Sequence, residues 1–241
     1  MNSRIVLFTL ISTFLLLGLV VAAASATTRT VGVSVGNTFR CSVTVSWHST
    51  DPSATFPSNL VDFNNTQWGE VTVTGISGTQ ITGNITSHYK NGTEISTPGW
   101  VDVNTGNSLI LTESFISANL AAGDSEYTSS PYNTNIINNT VTRTYLGVGR
   151  ETNHLGYAYP GGSTDLYWDK TTGFLVEVLV ESTSQTFGYT TTSSLDVQII
   201  SSNVWTVPEF PTWTPALLIL IALTSATMVI AKQRQPKRPF S

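Results

Sequence analysis

Charge is what this sequence has least of. Only 11% of its 241 residues are Asp, Glu, Lys or Arg, against roughly 25% in a typical soluble domain. The deficit is filled by 27 serines and 38 threonines. Solubility therefore rests on hydroxyls, a composition common outside cells. There is one cysteine, Cys41. That excludes an internal disulfide and every zinc motif built on paired cysteines. Cys41 lies well past the N-terminal apolar run, too far for a lipid-modified N-terminal cysteine, and reads as a small buried apolar residue.

Catalytic signatures are also missing. G-x-S-x-G, a Walker loop and a G-x-G-x-x-G before a helix do not occur. The three histidines, His48, His88 and His154, fall on separate predicted strands, with no i, i+2 or i, i+4 pair. They read as sheet-surface side chains. Asp165 and Asp169 form the nearest local carboxylate pair, but Asp169 is better explained as a turn cap. The acidic loops at Asp51 and at Asp124–Glu126 lack the D-x-D-x-D-G order of a calcium loop. No enzyme, cofactor or metal is expected.

The charge that is present is unevenly spread. Between Thr27 and Phe210 stand six basic and all fifteen acidic residues, a net −9, while Lys232, Arg234, Lys237 and Arg238 give the tail +4. An acidic middle argues against nucleic acid as partner, because phosphate binding needs a basic face.

Both ends are apolar. Arg4 precedes a mostly apolar run from Ile5 to Val21, followed by Ala22–Ala26 with an A-x-A site. This predicts a signal peptide over 1–26, cut between Ala26 and Thr27; an uncleaved anchor is the alternative. At the other end a Pro-rich stalk, 208–214, leads into an apolar helix over 215–231 and a basic tail, 232–241. The sixteen residues Ala216–Ala231, apolar apart from Thr224, Ser225 and Thr227, span about 24 Å of helix. Trp213 at one interface and snorkelling Lys232 and Arg234 at the other make that length adequate. Pro215 suits a first helical turn. Basic residues after the span place the C-terminus in the cytoplasm and residues 27–207 outside. A buried core helix is the alternative, disfavoured because the stretch shows no polar face and ends in a basic tail. The expectation is a single-pass cell-membrane protein.

The order Pro208-Glu209-Phe210-Pro211, Trp213, a short apolar span and Lys232–Arg238 resembles the tails of many archaeal surface proteins. Some related tails are processed by an archaeosortase. Their usual form has a glycine where Pro211 stands.

The outer domain, 27–207, reads as β. Phe39, Cys41, Val43, Val45 and Trp47 alternate with Arg40, Ser42, Thr44, Ser46 and His48, one face apolar and one wet. Asn91-Gly92 suits a hairpin turn. Over Tyr167–Glu177, Asp169 can cap a turn that Gly173 closes. Nine or ten antiparallel strands are expected, as one curved sheet (half-barrel) or a sandwich. Short helices are expected near Pro57–Phe63 and over Glu113–Leu120. The Y-W-D-x-x-T-G-x-L-V-E hairpin makes the domain similar to uncharacterised archaeal surface domains. It also loosely resembles the half-barrel of the bacterial lipoprotein carriers, which implies a curved sheet able to hold acyl chains.

Four N-x-S/T sequons start at Asn64, Asn84, Asn91 and Asn138. Chance gives about that number in so hydroxyl-rich a chain, so placement carries the signal, and Asn91 lies in a predicted turn. The aromatics Trp47, Trp68, Trp100, Trp168, Tyr157 and Tyr159 read as core, with a lipid- or glycan-binding face as the alternative. Function divides the same way. The first expectation is a non-enzymatic envelope or contact module. The second is a binding module for a lipid or glycan ligand.

Overall fold

The computed structural model describes residues 28–205. The expected signal peptide with its Ala26–Thr27 cleavage point, the stalk, the 215–231 helix with Trp213 and Pro215, and the tail with Lys232 and Arg234 lie outside the described residues. Among the described residues no helix is long and apolar enough to cross a membrane.

Ten strands form one antiparallel sheet. In chain order they are β1 (Thr38–Ser49), β2 (Thr66–Ser77), β3 (Gln80–Tyr89), β4 (Glu94–Asp102), β5 (Ser108–Leu109), β6 (Asn139–Tyr145), β7 (Val148–Tyr159), β8 (Gly162–Asp169), β9 (Leu175–Thr186) and β10 (Tyr189–Ser202). The spatial order is β5-β4-β3-β2-β1-β10-β9-β8-β7-β6. Two five-stranded meanders are thus joined at the middle by the first and last strands, which pair from Phe39↔Ser202 to Ser49↔Thr191. The strand count and antiparallel sense follow the sequence reading. The sandwich alternative is corrected: all ten strands belong to one sheet.

The sheet bends strongly. β6 and β9 are three strand spacings apart, about 14 Å on a flat sheet. Yet the Tyr145 hydroxyl donates to Glu177 Oε2 at 2.6 Å, and Arg143 Nη2 donates to Oε1 at 2.9 Å. Arg150 near the start of β7 likewise stacks over Trp205 beyond the end of β10, 4.3 Å from the ring centroid.

One face of the bent sheet is apolar because the strands alternate. Phe39 and Cys41 are buried, Val43, Val45 and Trp47 half-buried, and Thr44, Ser46 and His48 exposed. The cover over this face comes from residues 110–138, between β5 and β6, whose Leu111, Phe115, Ile116, Leu120, Tyr127 and Ile137 are all buried. Phe39 stacks on Phe174 at 4.1 Å and meets Phe115 edge-on at 6.0 Å. Such pairs add roughly 0.5–1.5 kcal/mol each beyond area burial.

The helix expected at Glu113–Leu120 does not form. Ile110, Glu113 and Asn119 have φ of 69°, 63° and 60°, which no right-handed helix accommodates. Its backbone donors go to neighbours instead: Ile116 N–H to Gly173 O, Ala118 N–H to Thr30 O and Asn119 N–H to Lys170 O, at 2.7–2.9 Å. Docking on the sheet outweighs local helical preference here. The helix expected near Pro57–Phe63 is present as a 3₁₀ turn, Ser58–Leu60, running into one short helix, α1 (Val61–Asn65).

The β8–β9 turn forms as its residues imply. Asp169 Oδ1 accepts from the Thr172 N–H and hydroxyl, both at 2.8 Å, and Gly173 has φ 71°. A side chain at Gly173 is barred twice over, since its Cβ would sit 2.1 Å from Ile116 O.

Candidate ligand cavities of the concave face

The cross-strand register lays a row of apolar side chains over five strands: Val43, Val197, Val178, Leu166 and Leu155. Residues 110–138 cover part of this floor and leave two openings beside their edge.

The first is an apolar cavity of about 300 Å³. Cys41, Val43, Val71, Ile85, Val178 and Val197 form its floor, and Phe39, Phe174, Leu175 and Ser114 wall it. Phe63 of α1 stands at its rim, and its side chain is largely exposed. Gly69 pairs with Cys41, so its missing side chain would lie on the same face. A Cβ added there would meet nothing within 4 Å, so the glycine leaves the space open. The volume is about twice the ~150 Å³ apolar cavity that accepts benzene and reaches the lower end of small-molecule sites. Burial pushes the Cys41 thiol up to about 12, so it lines the cavity as an uncharged group.

Both carboxylates bordering this cavity are already paired. Glu70 meets Arg40 at 2.9 Å, with the guanidinium over Trp68 at 3.9 Å. Glu177 is held by Arg143 and Tyr145. Burial raises the Tyr145 hydroxyl well above its ordinary range, so it stays a donor.

The second cavity, about 370 Å³, opens over Leu155 and Leu166 and is more polar. Glu113, Asn135, Asn138 and Tyr157 contribute to its walls. Burial raises the Glu113 carboxyl. Behind Asn135 lies Glu126, fully buried, its Oε2 accepting from Asn135 Nδ2 at 2.8 Å and its Oε1 without a partner among the described residues. Burial first, and then the Glu113 charge, push Glu126 up to about 7, against the bond from Asn135.

The histidines stay apart, on three strands. His48 is exposed. His88 stacks on Trp68 at 4.7 Å and meets Glu94 at 2.9 Å. His154 has Nε2 2.7 Å from Asp165 and Nδ1 3.2 Å from Asn139. Asp169 is a turn cap, paired also with Arg150. Asp51 Oδ1 is taken by Ser53. Among the described residues no three His, Cys, Asp or Glu side chains group as metal ligands.

The aromatic reading needs correction. Trp168 is core, its indole donating to Glu113 O at 2.7 Å. Trp47 packs edge-on against Phe56, Trp68 lies in the outer Arg40–His88 stack, and Tyr157 and Tyr159 are exposed. Among the described residues the most exposed large apolar side chain is one the sequence reading missed. Phe187, 97% exposed, tips the β9–β10 hairpin at φ 51°.

The sequons are spread out. Asn64 is in α1, Asn84 lies within β3 between Thr72 and Pro98, and Asn138 immediately precedes β6 and accepts from Gly156 N–H. Asn91 is exposed in the β3–β4 turn, its Oδ1 accepting from Thr93 N–H at 2.9 Å. That leaves its Nδ2 without a hydrogen-bond partner among the described residues.

Sequence reasoning missed both cavities. Their walls come from residues far apart in the chain, and Gly69 and Glu113 carry no local signature. No protein-family model matches the chain, and no curated protein is significantly similar to it.

Proposed function

We propose that this chain is an exported, single-pass membrane protein whose outer β domain is a non-enzymatic binding module for an apolar ligand. The observation that carries the binding reading is the open 300 Å³ apolar cavity at Gly69. A buried core seldom tolerates so large an unfilled space, and cavities of this size and lining are where small molecules bind. A curved sheet holding apolar chains agrees with the half-barrel resemblance. Export and anchoring rest on the Arg4–Ala26 and Pro208–Arg238 patterns. Acidic surface and sparse charge favour neither nucleic acid nor a charged polymer as partner. Asn91 is the sequon best placed to carry a glycan.

The test is fluorescence of the neutral dye N-phenyl-1-naphthylamine with the full chain in lipid nanodiscs, as a difference between wild type and Gly69→Leu. The substitution fills the cavity without a steric clash at Cβ. Wild type should show saturable enhancement that Gly69→Leu lacks. Identical curves for the two proteins would remove the binding reading.

A contact module is the second reading, and Phe187 favours it. Residues 182–194 carry no charged side chain and present this phenylalanine at their tip. β10 runs from that tip toward the end where both chain termini leave the sheet. Its 14 residues put the tip roughly 45 Å from a membrane-proximal end. Phe187→Ser should then weaken attachment to the partner surface while leaving dye binding unchanged.

A further inference from the structure

The two cavities are neighbours. Val178, on the floor of the apolar one, pairs directly with Leu166, on the floor of the polar one. Their walls are contiguous as well, since Ser114 lines the first and Glu113 the second. The two therefore lie side by side along the edge of residues 110–138, one apolar and the other bearing Glu113.

Glu113 is the unusual residue of the second cavity. Its backbone is left-handed, φ 63°, a conformation that costs a non-glycine residue roughly 1–2 kcal/mol. Trp168 fixes its carbonyl from below. Its carboxyl makes no hydrogen bond or ion pair with the described residues, in contrast to Glu70 and Glu177, which both have basic partners. A half-buried carboxyl of this kind is costly unless something supplies donors to it. The nearby buried Glu126 adds negative potential when ionised. Arg29 spends its guanidinium on Ser125 and on the Glu126 carbonyl and interacts with Asp124. No Lys or Arg lines either cavity.

Resting on the binding reading above, we infer that the ligand is amphipathic. Its apolar body lies over Cys41, Val43, Gly69 and Val178, and a cationic, hydrogen-bond-donating head group, a primary ammonium, meets the Glu113 carboxyl in the adjoining cavity. The apolar cavity, with both bordering carboxylates already neutralised, accepts an uncharged chain and sets its length. The cavity bearing Glu113 sets the sign of the head. A carboxylate or phosphate head would face Glu113 and Glu126 with no compensating cation. Because burial raises the Glu113 carboxyl, an arriving ammonium favours its ionised form, so binding releases a proton where the site was protonated.

The readout is displacement of N-phenyl-1-naphthylamine from the full chain in nanodiscs near neutral pH by decylammonium, decanol or decanoate, taken as the difference from Gly69→Leu, in which the cavity is filled. Decylammonium should displace the dye at concentrations roughly tenfold below decanoate, a difference of about 1.4 kcal/mol, with decanol between them. Glu113→Gln should bring decylammonium to the level of decanol. If decanoate displaces the dye as well as decylammonium, or if the order survives Glu113→Gln, the head-group assignment is wrong while the apolar cavity stands. If decanol fails to displace the dye at any concentration, the cavity reading itself falls.

Discussion

Replacing Glu126 by glutamine should make the protein more stable above neutral pH and leave it unchanged in acid. The carboxyl is fully buried, with one oxygen bonded to Asn135 and the other without a partner among the described residues. Its folded value of about 7 stands above the ordinary 4.5. A group raised on folding binds more protons in the folded state between those two values. Its contribution is therefore fully present below about pH 4.5, declines as pH rises through that interval, and is lost above about 7. At 1.36 kcal/mol per unit, the loss is on the order of 3 kcal/mol. Glutamine keeps an oxygen for Asn135 and cannot ionise. Denaturant unfolding, followed by tryptophan fluorescence at intervals from pH 4.5 to 8.5, gives the stability difference between variant and wild type. Subtraction removes the titration of every other carboxyl except Glu113, whose coupling to Glu126 is part of the effect. The difference should grow from near zero at pH 4.5 to roughly 3 kcal/mol at pH 8. A flat difference across that range would refute the burial of an ionisable Glu126 and with it the described packing of residues 121–137.

Other outcomes follow from the same structure. Phe39→Ala removes a fully buried ring at the centre of the Phe115–Phe174 contact and should cost about 3–5 kcal/mol in denaturant unfolding. Phe187→Asn replaces a 97% exposed side chain at φ 51° by one that tolerates this conformation, and should raise stability by about 1 kcal/mol. Deleting residues 211–241 should release the domain into the medium, with a mature N-terminus at Thr27 by mass spectrometry; retention in the membrane would point to an uncleaved N-terminal segment. Asn91→Gln should remove the mass of one glycan from the exported protein if that sequon is used.

Much of the sheet was legible in the sequence because strand formation here is local. Alternation over Phe39–Trp47 assigned the buried face, and Asp169 with Gly173 marked a turn whose bonds lie within five residues. Strand number followed from the spacing of such signals. What the outer face carries was legible only in part: His48 was placed correctly, whereas Trp68 and His88 meet through the β2–β3 register, which hydropathy does not specify.

The sequence by itself determined an acidic, hydroxyl-rich, disulfide-free β domain between two apolar end segments, since composition and short-range periodicity are enough for that. Only the tertiary structure decided how residues 110–138 are used. Their apolar run suits a helix in isolation, but the curled sheet offers it a larger apolar surface and backbone partners at Thr30, Lys170 and Gly173. That docking leaves Gly69 facing empty space and the Glu113 carboxyl without a hydrogen-bond partner among the described residues. Both follow from contacts between segments distant in the chain, which no local pattern encodes.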